Sequence, residues 1–343
     1  MAEAGEPILG SLYVYAPNKG APIFFAIAYA LSTGFHIWQC IRYKAFKLVG
    51  LHSICALLFT LGYALRAYGA FNNNYLYSET DQTPLIMFIL SQVFIFICPP
   101  LLELANYHIL GRTFYYVPYI APLPPGRVLA TFGGLMAVVE TLNALGVALS
   151  ANAASTETVQ TLGANMTVAA LSIQFFVILT FYCMAGMFHW RCIKAGLHTT
   201  AIRTILDTLY ASMFLILARC IYRMVEHTTG STNIDLDNIE VLQRLSPVLR
   251  YEVFFYIFEA TFMLFNSILW NIWHPGRFLP REHHIYLAQD GSEVQGQEDM
   301  DDRPLIVKTA NVLTFGLLFR RKRNVLQIPE TQELGDMQSA NRA

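Results

Sequence analysis

Long apolar runs separated by short polar connectors organise the first 273 residues of this 343-residue chain. A helix needs about 20 mostly apolar residues to cross about 30 Å of hydrocarbon, and a helix satisfies its own backbone there. Seven stretches reach that length: Pro22 to Ile41, Leu48 to Ala70, Pro84 to Leu110, Val128 to Leu149, Ala164 to Trp190, Thr204 to Val225, and Val248 to Trp273. The pattern predicts an all-α integral membrane protein, a seven-transmembrane helix bundle. It divides the chain into an N-terminal segment (1–21), a bundle (22–273) and a mostly disordered tail (274–343).

The placement of Lys and Arg predicts the orientation, because cytoplasmic connectors accumulate them. Connectors one, three and five carry Arg42, Lys44, Lys47, Arg112, Arg127, Arg191, Lys194 and Arg203. The other side carries Lys19 and Arg244, the latter among Asp235, Asp237 and Glu240. The tail past His274 adds nine more basic residues. Eight against two places the N-terminus outside and the tail in the cytosol. Within the tail, Leu305 to Phe319 has the composition of a short interfacial helix, and Arg320-Arg321-Lys322-Arg323 would hold it near anionic lipid. A solvated tail is the plainer expectation, with a cytosolic partner as a further use for it.

Composition sharpens the class without naming a substrate. Residues are 55% hydrophobic and 14% charged, against about 25% charged in soluble domains. The net charge of −1 is segregated along the chain and suggests no nucleic-acid partner. The six cysteines fall inside apolar runs or at their cytosolic ends, so no disulfide framework is implied. The first 21 residues lack the pattern of a cleavable signal, so the first span is expected to direct insertion. Asn165-Met166-Thr167 matches a glycosylation acceptor, but it opens a span and reads as a chance match.

Ionisable side chains inside the spans carry the chemical information. Each costs at least about 2.5 kcal/mol near a helix centre, so it is expected to face the interior and to have a partner. An outer layer holds Arg66, Arg219, Arg223, Glu226, Arg250 and Glu252. Arg219, Arg223 and Glu226 share one helical face, as do Glu252 and Glu259, seven residues apart. The simplest pairing joins the sixth helix to the seventh. Such charges either fix helix register or bind a charged headgroup or move a proton. A middle layer holds Glu140 and Glu259, which lack a basic residue at their depth unless Arg219 reaches down. A carboxylate there suits proton coupling or contact with an amine, or sits neutral on Asn143 or Asn266. An inner layer holds His36, His52, His108, His189 and His274, with Glu103 one turn above His108. These histidines come from five helices without ligand-like spacing, so no metal or other cofactor is expected. Pro99-Pro100 removes two backbone donors in mid-span and predicts a kink, with carbonyls freed near Glu103.

Two familiar seven-helix machines fail on their motifs. No lysine lies inside a span, which excludes a retinal Schiff base. The third span ends Leu110-Gly111-Arg112-Thr113 and the seventh ends Asn271-Ile272-Trp273-His274-Pro275, so neither matches the G-protein-coupled receptor signatures.

Several costly residues nevertheless stand at ordered offsets: Arg219-x-x-x-Arg223-x-x-Glu226, then Gly230, then Glu252-x-x-x-Tyr256-x-x-Glu259, closing with His274-Pro275-Gly276. With Gly62-Tyr63-x-x-Arg66 and the stretch from Pro100 through Tyr107 to Gly111-Arg112, this resembles the RTA-like family of fungal membrane proteins, the lipid-translocating exporters. The chain departs from the usual pattern at Glu259, where an Asp is common, at Phe59, where an acid is common, and at Glu140 and Asn143. It therefore resembles a divergent subgroup. The resemblance implies a multi-pass protein of a fungal membrane, the plasma membrane before an internal one. It also implies translocation of amphiphilic lipids such as sphingoid bases, and stress resistance rather than enzymatic activity. Its expected polar site comprises Arg66, Glu103, Glu140, Arg219, Arg223, Glu226, Glu252, Tyr256 and Glu259. No phosphate-binding Gly-x-x-x-x-Gly-Lys-Ser/Thr occurs, so the energy source is not ATP bound at such a loop. A seven-helix sensor and a metal-dependent membrane hydrolase stand as the alternatives.

Overall fold

The computed structural model describes residues 6–295, except 72–74, 79, 124, 152–155, 198, 230–237, 281–284 and 288–292. Among the described residues, seven helices are long and apolar enough to cross a membrane: Gly20–Tyr43, Phe46–Phe71, Thr83–Tyr116, Val128–Ser150, Glu157–Lys194, Thr200–Thr229 and Glu252–Arg277. The expected tail segment from Leu305 and the basic run from Arg320 lie outside the described residues, as do Gly230, Asp235 and Asp237. Within the segment expected as a solvated tail, Ile285–Leu287 and Glu293–Gln295 pair as an antiparallel ladder. The Arg112 guanidinium donates to the Pro280 carbonyl at 2.7 Å, and the Tyr116 hydroxyl donates to Glu293 at 2.8 Å.

Lipid-facing and inward-facing positions alternate with helical period, as the cost of polar groups in hydrocarbon requires. On the first span Phe24, Ile27, Leu31, Phe35 and Trp38 point out, while Phe25, Tyr29, Ser32 and His36 are buried. An aromatic column fills the half of the core nearer the N-terminal segment. Phe25 stacks on Tyr256, and Tyr29 stacks on Phe59 and Tyr63. Without a hydrophobic force between helices in lipid, close backbone approach does much of the packing. Spans four and five meet through Gly146 and Gly163: a Cβ at Gly163 would lie 2.6 Å from the Gly146 carbonyl oxygen.

The third span breaks where two prolines predict it. Its first helix ends at Phe96 and the second starts at Cys98, so Pro99 and Pro100 occupy a first turn whose amides need no helical partner. Cysteine thiols serve carbonyls at the break: Cys98 donates to Phe94 at 3.0 Å, and Cys55 to Cys98 at 3.7 Å.

Several boundaries differ from the hydropathy reading, among them the end of the third span, which runs on to Tyr116, and the starts of the fifth and seventh. The fifth helix starts at Glu157, seven residues early, because an extended Thr156 precedes it and its first turns are helical despite their polarity. The seventh starts at Glu252; Pro247–Arg250 is a separate short turn, ended by the extended Tyr251. From Phe255 to Thr261 the seventh span is π-helical, and its wider turn is closed by the Thr261 hydroxyl donating to the Tyr256 carbonyl at 2.8 Å.

The glycine contact yields a direct expectation. Gly163→Val overpacks the interface of spans four and five, at a cost of about 1–3 kcal/mol. Thermal denaturation of the detergent-solubilised protein should shift downward, whereas Gly186→Val, where a Cβ meets nothing within 4 Å, should leave it nearly unchanged.

Candidate functional site

The charge nearest the N-terminal segment is built from three parts of the chain. Arg66, 1% exposed, extends from the second span between the rings of Tyr13 and Phe255, with its guanidinium carbon 4.4 and 4.3 Å from their centroids. Its Nη2 donates to Glu252 at 2.9 Å and to the Tyr15 hydroxyl at 3.0 Å, and its Nε donates to the Tyr256 hydroxyl at 3.3 Å. Glu252 also accepts the Asn18 amide at 2.7 Å, while the Asn18 side chain accepts the Gly20 and Ala21 amides that open the first helix. The N-terminal segment is thus folded onto the bundle. The Leu12 amide donates to the Tyr75 carbonyl and the Tyr77 amide to the Gly10 carbonyl, tying this segment to the second connector, and Val14, at φ 72°, turns the chain so that Tyr13 and Tyr15 both reach Arg66. Burial pushes the Tyr15 hydroxyl up to about 12, so it stays a neutral partner of the guanidinium at physiological pH.

Deeper lies the pair of Arg219 and Glu259. Arg219 Nε donates to both Glu259 oxygens at 3.0 Å, and Nη2 adds a contact at 2.9 Å. Glu259 has no exposed surface. The expected link between the sixth and seventh spans is therefore this pair, and Arg219 does reach down.

The other expected pairings change. Glu252 and Glu259 do not share a partner face, because the π-helical turns between them break the 3.6-residue arithmetic; one meets the second span and the other the sixth. Arg223 pairs within its own helix, with Glu226 at 2.5 Å and His227 at 3.1 Å, its guanidinium lying over Phe96 at 4.2 Å. It stops short of the seventh span because an i+3 neighbour on its own turn is closer to hand. Arg250 donates to the Gln243 carbonyl on the connector.

Glu103 belongs with the middle layer, not with the histidines. It is fully buried, accepts the Gln174 amide at 2.7 Å and accepts the Tyr107 hydroxyl one turn along its own helix. The kinked third span aims it at the fifth. Glu140, half-buried on the fourth span, has no hydrogen-bond partner among the described residues, and its electrostatic neighbours are Arg219 and Glu103. Asn266 is not its partner; both polar atoms of that side chain are buried without a hydrogen bond.

Of the inner histidines, His36 and His52 lie together, with ring centroids 6.0 Å apart. His36 bonds Ser267 at 3.1 Å, His274 Nδ1 accepts the Gly276 amide at 3.1 Å, and His52 packs edge-on to Trp270. Among the described residues no three His, Cys, Asp or Glu side chains gather as metal ligands. Sequence reasoning missed Tyr13, Tyr15, Asn18 and Gln174, and named Tyr107 only within a motif stretch. The tyrosines of the N-terminal segment carried a faint signal in Tyr13-Val14-Tyr15, three consecutive strand-type residues ahead of the first span; Asn18 and Gln174 look like any polar position on a cap or helix.

Buried ion pairs thus join the second span to the seventh and the sixth to the seventh, and Glu140 on the fourth has no hydrogen-bond partner among the described residues. The model of the RTA1 like protein family matches residues 53–282. The chain belongs to the RTA1-like family. A lipid-translocating exporter-like protein RTA1 of Leptosphaeria maculans is 58% identical over 323 residues, 93% of this chain and 62% of that one. This chain thus spans less than two thirds of that relative's length. A protein of the same description from Ajellomyces capsulatus is 29% identical over 74% of this chain and 80% of its own. A probable lipid transporter, atnI, of Emericella nidulans is 27% identical over 79% and 69%. No solved structure matches the chain. Family membership and seven apolar helices make this an integral, multi-pass membrane protein. Of the departures expected within the family, Phe59 lies in the aromatic column, stacked on Tyr29 and Tyr63.

Removing one member of a buried ion pair leaves an uncompensated charge, at about 3–5 kcal/mol, whereas replacing both by apolar groups is nearly neutral. Arg219→Leu is therefore expected to lower thermal stability in detergent sharply. The double variant Arg219→Leu/Glu259→Leu should regain most of the loss, and a double-mutant cycle reads the coupling.

Proposed function

We propose that this RTA1-like protein translocates amphiphilic lipids, or toxic amphiphiles of similar build, across the membrane that holds it. The plasma membrane is the membrane we assign, in keeping with a role in stress resistance. The relatives' descriptions, lipid-translocating exporter-like and probable lipid transporter, support the substrate class. The observation that carries the reading is Glu140, a mid-span carboxylate with no hydrogen-bond partner among the described residues, beside an Arg219 already satisfied by Glu259.

A charge left unmatched in hydrocarbon is expensive, and a passing amine head or a proton supplies the match. In this reading Arg66, Glu252 and Tyr256 form the outer polar gate under the N-terminal segment. Arg219 and Glu259 hold the sixth and seventh spans in register, and Glu103 and Glu140 present negative charge to the head in transit. Arg223 and Glu226 line the outer rim. The N-terminus faces outward and the basic connectors face the cytosol. The kink in the third span and the π-helical turns of the seventh are where the bundle can change shape at low cost.

The test is flux of a labelled long-chain amine through proteoliposomes, with and without a proton gradient. Glu140→Gln, on a residue with no hydrogen-bond partner among the described residues, should leave stability unchanged and slow flux roughly tenfold, the loss of about 1.4 kcal/mol of head-group stabilisation. Wild-type flux equal to empty vesicles would end the transporter reading, and Glu140→Gln at wild-type rate would remove Glu140 from it.

A further inference from the structure

Four polar side chains are shut inside the bundle at the end of Arg42, Lys44 and Lys47. His36, His52, Asn266 and His274 are each at most 1% exposed. The first three stand within seven residues, about 10 Å, of the helix ends at Tyr43, Phe46 and Ile272, and His274 follows the last of these. They form one strip across spans one, two and seven. The His36 and His52 rings are 6.0 Å apart, His52 lies edge-on to Trp270, one turn past Asn266, and His36 bonds Ser267.

What these groups lack does not depend on how they are oriented. Among the described residues, both His52 nitrogens and both polar atoms of the Asn266 amide have no hydrogen-bond partner. Whichever tautomer or amide flip holds, each side chain leaves a donor and an acceptor unmet. His36 bonds through Nε2, and its Nδ1 is unmet. His274 Nδ1 accepts the Gly276 amide, so the neutral ring carries its proton on Nε2, which has no acceptor. Unmet buried groups weigh against the form that buries them, and water is the partner that satisfies donors and acceptors alike.

A strap holds this form shut. The turn Pro275–Arg277 follows His274 and wedges against the first connector. A Cβ at Gly276 would lie 3.0 Å from the Cβ atoms of both Tyr43 and Ala45, and the His274 ring stacks on Tyr43 at 5.3 Å. Beyond the turn, Arg112 of the third span holds the Pro280 carbonyl and Tyr116 holds Glu293, while Leu279 and Leu287 are buried in the main apolar core.

We propose that this is the closed form of a vestibule at the basic end of the bundle. When the strap lifts from Tyr43 and Ala45, spans one, two and seven part there, and water reaches His274, His36, His52 and Asn266. The strip makes that opening cheap, because every unmet atom gains a partner in the open form. The vestibule lies at the opposite end of the second span from Arg66 and its cover of Tyr13 and Tyr15. Its opening is read without transport, so it stands or falls apart from the translocation reading.

The experiment follows carbethoxylation of histidines by diethyl pyrocarbonate in the full-length protein in detergent micelles, located by peptide mass spectrometry. His227, near the Thr229 end of the sixth span, is the reference. Gly276→Leu cannot seat between Tyr43 and Ala45, and it should raise the His52 rate roughly tenfold against His227. If that variant loses its thermal transition, Tyr116→Phe carries the test, since it removes one bond of the strap and should raise the rate severalfold. Asn266→Leu removes two unmet atoms at nearly constant shape. It should slow His52 modification and raise the thermal transition by about 3 °C. A His52 rate unchanged in the folded strap variant would overturn the proposal. A lower transition temperature in Asn266→Leu would overturn it as well, because the strip would then favour the closed form.

Discussion

The contact between Arg219 and Glu259 constrains the rest of the bundle. Two full charges have been withdrawn into a region where each alone would cost several kcal/mol, and three contacts within 3.0 Å recover that cost only in one relative position of the two helices. A slip of the seventh span by one residue would swing Glu259 by about a hundred degrees and strand both groups. Hydrophobic packing in lipid has no comparable power to choose a register, because an acyl chain is as good a neighbour for a leucine as another leucine. The pair is best understood as the pin that fixes how the sixth and seventh spans lie together.

That pin sits inside a π-helical stretch, and the two features belong together. Glu252 must meet Arg66 on the second span while Glu259, seven residues on, must meet Arg219 on the sixth. A regular helix would turn both carboxylates to nearly the same side. The wider turns from Phe255 to Thr261 separate their directions, and the loosened carbonyls find partners: Tyr256 takes the Thr261 hydroxyl, and Ala260 takes the Tyr29 hydroxyl at 3.0 Å. The break at Ile97 in the third span works similarly, aiming Glu103 across at Gln174 while cysteine thiols attend to backbone carbonyls nearby. Irregular backbone at membrane depth is tolerated here because it is enclosed by protein.

With Arg219 and Glu259 satisfying each other, Glu140 is left at mid-span with no hydrogen-bond partner among the described residues. The N-terminal segment covers Arg66, since Tyr13 and Tyr15 are held by a backbone turned through a left-handed valine, a conformation that β-branched residues rarely adopt.

Seven spans, the kink at Pro99-Pro100 and the need for inward-facing charges were legible from the chain alone. Each follows from a rule that acts locally: hydrocarbon thickness sets the length, proline removes a donor, and lipid rejects an ion. Even the approach of Arg219 to Glu259 could be anticipated as the cheapest pairing. What local rules do not carry is partnership. Glu103 was placed with His108 by its depth along one helix, yet it bonds Gln174 because the break in the third span rotates it toward the fifth. Arg66 was read as a charge of the second span, yet half of its cage comes from Tyr13 and Tyr15, which no hydropathy count connects to it. The direction of a side chain depends on how its helix is broken, widened and turned against its neighbours, and those rotations are settled by the whole set of contacts at once. Length and polarity are properties of a segment; partnership is a property of the fold.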